Sequence, residues 1–172
     1  MRKFALLATL AAAALTATSC ASRRAETPVA PPQEAPPVVQ PQQPSGPTPG
    51  SVEDFRVQAG SDRVFFALDS SDLSPQARSI LERQAAWLRR YPSVRVLIAG
   101  NCDERGTREY NLALGSRRAN AARAYLVSLG VEAARVETTS NGKELPMDPR
   151  SNEEAWAVNR NAHTQIIAGA IS

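Results

Sequence analysis

Residues 100–111 read GNCDERGTREYN, and few stretches of the chain carry as much potential chemistry. One thiol (Cys102), three acids (Asp103, Glu104, Glu109) and two arginines (Arg105, Arg108) crowd a turn between apolar stretches. A zinc site would need three or four converging nitrogen or sulfur ligands. Cys102, Asp103 and Glu104 are adjacent and so point apart, and the one histidine, His163, lies far downstream. Nucleophilic catalysis by Cys102 would need a base and a group to orient it. Hydrolysis by paired carboxylates, Asp103 with Glu104 or with Asp69, is chemically open, although no sugar-stacking aromatics flank them. Binding fits the pattern better. Asn111 and Arg118 are two helical turns apart and share a face. Arg118 sits beside Ala119 and Ala122, where a partly desolvated guanidinium wants a carboxylate. Asp103 and Arg118 facing one pocket would take the ammonium and the carboxylate of a zwitterion. They would equally well pair with each other, and the residues alone leave these two readings open. The turn calls for no metal and no cofactor.

The elements that must position these residues follow from pattern. Asp62 to Leu68 is short, β-branched and aromatic, and reads as a first strand. Ser74-Pro75 starts a helix, with Ser as N-cap and Pro at the first helical position. Ile80, Leu81, Ala85 and Leu88 then recur at helical spacing, and Tyr91-Pro92 ends the run. Val94 to Ala99 is a second strand, apolar almost throughout. Thr107 can cap a helix running to about Leu129, with Gly115, Ala119, Ala122, Leu126 and Leu129 inward and Gly130 as a left-handed cap. Arg135 to Ser140 is a third strand and Ala162 to Ala168 a fourth. Between them Ser151-Asn152-Glu153-Glu154 matches a capping box, predicting a short helix from Asn152. Strands alternating with helices predict an α/β two-layer sandwich, a small mixed four-stranded sheet with helices over one face.

The N-terminal part carries other signals. Met1-Arg2-Lys3 is basic, Phe4 to Leu15 is apolar, and small residues lead to Cys20, which is a secretory signal too short for a comfortable membrane span. The cysteine after small residues resembles a bacterial lipobox, with Ala17 where Leu is usual and Leu15 two residues earlier. That resemblance implies a signal peptide over 1–19 and lipidation of Cys20. Several acyl chains would anchor stably where one is marginal. Simple cleavage to a soluble secreted protein is the alternative. A lipidated Cys20 leaves Cys102 without an intramolecular partner. Nine of the thirteen prolines lie between Pro28 and Pro49. Such composition favours extended polyproline II, up to ~70 Å for this stretch at ~3.1 Å per residue. Residues 20–50 therefore read as a lipidated tether and 51–172 as one folded domain. Without Arg2 and Lys3 the chain keeps 18 basic against 17 acidic residues. That balance argues against a nucleic-acid partner.

At these residues the chain resembles a known family. VFFALDSSDLS, GNCDERGTREYNLALGSRRANAARAYLVSLGV, NGKELP and SNEEAWAVNRN are similar to the peptidoglycan-associated lipoproteins of the Tol–Pal system, whose domain is of the OmpA C-terminal type. The resemblance runs the whole chain. It implies non-covalent binding of peptidoglycan through the diaminopimelate of the stem peptide. It also implies an outer-membrane lipid anchor with the domain facing the periplasm, and TolB and the Tol complex as partners in envelope integrity and division. Ala21 is not the Asp that retains many lipoproteins at the inner membrane. The family's key pair falls on Asp103 and Arg118, at the family's spacing. Leu68 and Asp69 match positions lining the same groove at the end of the first strand, and Asn111 and Leu114 match the helix signature. Asn101 stands where His is frequent and can still hydrogen-bond. Three further departures are Leu68 for Phe, Asn161 for the closing arginine, and His163 for Val. The resemblance implies no catalysis and no cofactor. It also predicts that removing Asp103 or Arg118 weakens binding while leaving the fold intact. Glu104, Arg105 and Arg108 are expected to be solvated rim charges, and Cys102 a half-buried thiol without chemistry. The alternatives are an OmpA-like wall anchor outside the Tol system and a periplasmic hydrolase using the acidic loop.

Overall fold

A computed structural model describes residues 46–171. The signal segment, Cys20 and most of the proline-rich stretch lie outside the described residues. The elements run α1 (Val52–Ala59), β1 (Arg63–Phe65), α2 (Pro75–Arg90), β2 (Arg95–Asn101), α3 (Arg108–Ser128), a 3-10 turn (Ala133–Arg135), β3 (Val136–Gly142), α4 (Glu153–Asn159) and β4 (Asn161–Ala168). The sheet order is β1-β4-β2-β3. β4 is antiparallel to both β1 and β2, and β2 runs parallel to β3. The parallel pair needs a crossover, and α3 supplies it.

Strand alternation sorts the two faces. Val64, Val96, Ile98 and Ala162 enter a core with Phe55, Leu81, Leu88, Ala122 and Leu126. Their neighbours Arg63, Phe65, Leu97, His163 and Gln165 lie on the other face, partly solvated. The two-layer α/β sandwich with a mixed four-stranded sheet is therefore as expected. Polar groups that enter the interior are paired: Thr164 Oγ1 donates to Gln84 Oε1 (2.9 Å), and Gln84 Nε2 donates to the Ser61 carbonyl (3.0 Å).

Several local readings hold at the level of hydrogen bonds. Ser74 Oγ accepts from Ala77 N and Thr107 Oγ1 from Tyr110 N, so both caps form. At the end of α3, Gly130 N donates to the Val127 carbonyl and Val131 N to that of Leu126, with Gly130 at φ 89°. That is a Schellman ending. Two readings are corrected. α4 is capped by Asn152, whose side chain accepts from Ala155 N, so the cap falls one residue after Ser151. β1 ends at Phe65, not Leu68, because the chain turns: Ser70 N donates to the Ala67 carbonyl and Asp69 takes φ 52°. α1 (Val52–Ala59) precedes the first strand, where the sequence pattern gives no element. It buries only Phe55 and Ala59 besides Asp54, too narrow a stripe to signal a helix. Its anchor is Asp54 Oδ2, which accepts from Gly50 N and Trp87 Nε1, both at 2.8 Å.

One contact sets the depth at which α3 lies on β2. A Cβ on Gly100 would run into the Gly115 carbonyl, and one on Gly115 into Ser140 Oγ and the Gly100 carbonyl. Two bare backbones thus meet, and the helix carrying Asn111, Leu114 and Arg118 is pressed against the loop that leaves β2. Gly100→Ala must push the helix outward and is expected to cost about 1–3 kcal/mol. Gly46→Ala, where nothing lies within 4 Å, should be neutral. Urea midpoints of the two variants check this, and equal midpoints would show that the helix yields freely.

Candidate functional site

Where β2 ends, Cys102 N donates to the Gly142 carbonyl (2.7 Å), so the loop is tied to β3 before it turns. Gly106, at φ 85°, then lets the chain reverse into α3. Asn111 Nδ2 holds the reversal by donating to the carbonyls of Arg105 (2.7 Å) and Thr107 (3.0 Å). This turn and the β1–α2 loop form the walls of a groove of about 310 Å³. Leu68, Asp69, Asp103, Asn111, Leu114 and Arg118 all line it. Six of the seven residues proposed from the sequence thus come together. The seventh, Asn101, does not: its Nδ2 donates to Asn161 Oδ1 (2.9 Å) and its Oδ1 accepts from Asn141 Nδ2 (3.0 Å), on the far side of β2. Only its carbonyl points back, accepting from Arg118 Nη1 (2.9 Å).

Asp103 and Arg118 do not pair with each other. The guanidinium of Arg118 is fully buried and reads backbone. Nε donates to the Ser70 carbonyl (2.9 Å), Nη2 to that of Ala67 (3.0 Å), and Nη1 to that of Asn101 and to Cys102 Sγ (3.4 Å). Four of its five N–H groups are thereby used. Its Cζ lies over the Phe66 ring, 5.3 Å from the centroid. Three carbonyls fix Arg118, and one Nη2 proton has no partner among the described residues. Burial lowers its pKa, which the fields of Cys102 and Asp103 partly restore. The same burial raises the Cys102 thiol, against the opposing pull of Arg118. Cys102 is fully, not half, buried and donates to the Asn111 carbonyl.

Asp103 is occupied by other arginines. Oδ1 accepts from Arg105 N (3.1 Å) and Nε (3.2 Å), and Oδ2 from Arg105 Nη2 (2.7 Å) and Arg160 Nη1 (3.3 Å). Burial pushes its carboxyl up, but these bonds outweigh burial and hold it below the ordinary carboxylate range. A carboxylate kept ionised by two guanidiniums is a poor general acid. Asp69 is different: it is exposed, and its side-chain partner among the described residues is the Tyr110 hydroxyl at 3.4 Å. Its left-handed backbone is tolerable for Asp and marks a locally constrained turn.

Arg105, Arg160, Cys102, Gly106 and Tyr110 complete the groove and were not among the expected site residues. Arg105 was expected to be a solvated rim charge. Instead it caps Asp103 and stacks over Trp156, 4.1 Å from the ring centroid. The Asp-x-Arg spacing at Asp103 is a legible signal for that turn. Arg160 gives none, because topology alone carries the end of α4 to Asp103. Asn161, at the third family departure, is fully buried and bonds Arg63, Asn101 and the Val158 carbonyl. Among the described residues no group of three or more His, Cys, Asp or Glu is placed to hold a metal ion.

With fold and groove in place, comparison with known proteins is decisive. The OmpA family matches residues 65–160, from the end of β1 to the start of β4. The chain belongs to the OmpA family. Within it, the chain is similar to the peptidoglycan-associated lipoproteins: that of Agrobacterium fabrum is 50% identical over 72% of this chain and 68% of the relative. That of Pseudomonas putida is 38% identical over 93% of this chain and 95% of the relative. The crystal structure of the peptidoglycan-associated lipoprotein from Burkholderia pseudomallei superposes with a TM-score of 0.61 at 42% identity, covering 63% of this chain and 92% of that one. The C-terminal domain of Helicobacter pylori MotB shares the OmpA-type fold, with a TM-score of 0.59 at 20% identity.

Proposed function

We propose that this OmpA-family domain binds peptidoglycan non-covalently through the diaminopimelate of its stem peptide, and so ties the outer membrane to the cell wall. The observation that carries this reading is a groove lined by both signs of charge. Asp103 and Asp69 stand toward a ligand ammonium, and Arg118 offers its remaining N–H to a carboxylate from the other side. Leu68, half-exposed, and Leu114 supply apolar wall between them. A zwitterionic centre matches this distribution, whereas a neutral or purely anionic ligand leaves one wall unpaired. The names of the relatives support the same reading.

The finer picture follows the family. The mature chain carries lipid on Cys20, spans from the outer membrane by its proline-rich residues, and works with TolB in the Tol–Pal system during division. Cys20→Ser is expected to release the protein from membranes. Fractionation and mass spectrometry check this, and a mature chain without acyl mass would remove the anchor. For the groove itself, residues 51–172 should co-sediment with purified sacculi. A soluble diaminopimelate stem peptide should compete, and a lysine-containing one should compete poorly because it lacks the second carboxylate. Failure of the domain to sediment with sacculi would overturn the reading.

A further inference from the structure

A carboxylate offers about four lone-pair positions. Asp103 fills them all: two bonds come from the Arg105 side chain, one from the Arg105 backbone and one from Arg160. An incoming ammonium therefore cannot simply add to Asp103; it must displace a donor. The two arginines differ in how readily they can leave. Arg160 has a side chain 9% exposed and is also tied to the Phe66 carbonyl (3.2 Å) and Glu153 Oε1 (2.9 Å). Arg105 is 35% exposed, and a second carboxylate already stands beside it, with Glu153 Oε2 3.8 Å from its Nη1. Its guanidinium rests on Trp156, whose Nε1 is pinned by Glu104 Oε1 at 3.0 Å. The guanidinium thus lies on the indole with Asp103 and Glu153 both within reach.

The geometry points to Arg105 as a displaceable plug: it occupies Asp103 in the empty groove and slides over Trp156 to Glu153 when a ligand ammonium takes its place. This inference rests on the stem-peptide reading and deepens it, making Arg105 a specificity-determining residue. A ligand must out-compete an internal guanidinium, so weak or misplaced cations are rejected. Glu153, by offering the plug a second seat, lowers the cost of displacement.

The test uses a soluble diaminopimelate stem peptide titrated by calorimetry, beside a second peptide whose side-chain amine is acetylated. Arg105→Gln should bind the free-amine peptide about five- to tenfold more tightly than wild type, because the competing cation is gone. It should show no such gain for the acetylated peptide. Glu153→Gln should act in the opposite direction, weakening the free-amine peptide about threefold by removing the second seat. In the Arg105→Gln background that loss should vanish, since no plug remains to be seated. Melting curves on each variant verify folding, and in wild type the Arg105 Nε resonance should shift on titration. If Arg105→Gln binds equally or more weakly while wild type binds, the plug is overturned and the site stands. The same holds if both peptides gain alike. If neither wild type nor any variant binds the free-amine peptide, the stem-peptide reading falls, and the plug with it.

Discussion

Arg118→Ala is expected to cost the domain much of its stability, and not merely its ligand. The side chain is fully buried, and its loss strands the carbonyls of Ala67, Ser70 and Asn101. A buried acceptor left unmade, as at Asn101, costs about 1–3 kcal/mol, and the part-buried carbonyls of Ala67 and Ser70 cost less because water reaches them. A net loss of about 2–4 kcal/mol compares with about 5–15 kcal/mol for a whole domain. The same bonds hold the β1–α2 loop, so the groove wall bearing Leu68 and Asp69 should loosen together with the fold. Arg118→Lys keeps the charge but replaces a planar fork aimed at three carbonyls with one ammonium, so it should recover only part of the loss. Urea denaturation of both variants measures this. Wild-type stability in Arg118→Ala would show that the carbonyls find water freely and that the arginine serves the ligand alone. This differs from what the resemblance implies, namely that the arginine can be removed with the fold intact.

That difference shows where legibility ended. The caps at Ser74 and Thr107, the Schellman glycine at 130 and the core stripe of α3 were readable because each is a local rule: a side chain or an amide bonding the backbone three to five residues away, or a helical period. The approach of Asp103 and Arg118 to one groove was readable only through resemblance, since it depends on how deeply α3 sinks onto β2. Gly100 and Gly115 set that depth, and neither announces its partner. The partners of the pair were not readable at all. Arg118 spends its donors on the carbonyls of a loop about fifty residues upstream, and Arg160 reaches Asp103 from the far end of the chain. Asn101 failed as a groove residue for a related reason. A strand-end residue has two faces to choose from, and Asn161 and Asn141 hold its amide on the other one.

The largest effect on binding belongs to Asp103→Ala. The variant leaves the ligand ammonium facing Arg105 and Arg160 with only the exposed Asp69 on its side of the groove. Losing one partner of a buried, hydrogen-bonded charge pair costs about 2–5 kcal/mol of affinity, roughly 30-fold to several thousandfold. The fold should survive. Arg160 keeps Glu153 and the Phe66 carbonyl, and Arg105 keeps Trp156. Because Arg105 is one-third exposed and screened, the stability loss at neutral pH should be about 1–2 kcal/mol. Its pH dependence has a definite sign. The folded pKa of Asp103 is depressed, so its contribution is fully present above the unfolded carboxylate value near pH 4 and is lost as pH falls through the folded value. Asp54, depressed in the same direction, behaves alike in both proteins and cancels from the difference. The melting midpoints of wild type and Asp103→Ala should therefore lie apart at pH 7 and converge on acidification below pH 4. A gap that stays constant with pH would mean that the arginines do not hold Asp103 ionised, and undiminished stem-peptide affinity in the folded variant would remove Asp103 from the site.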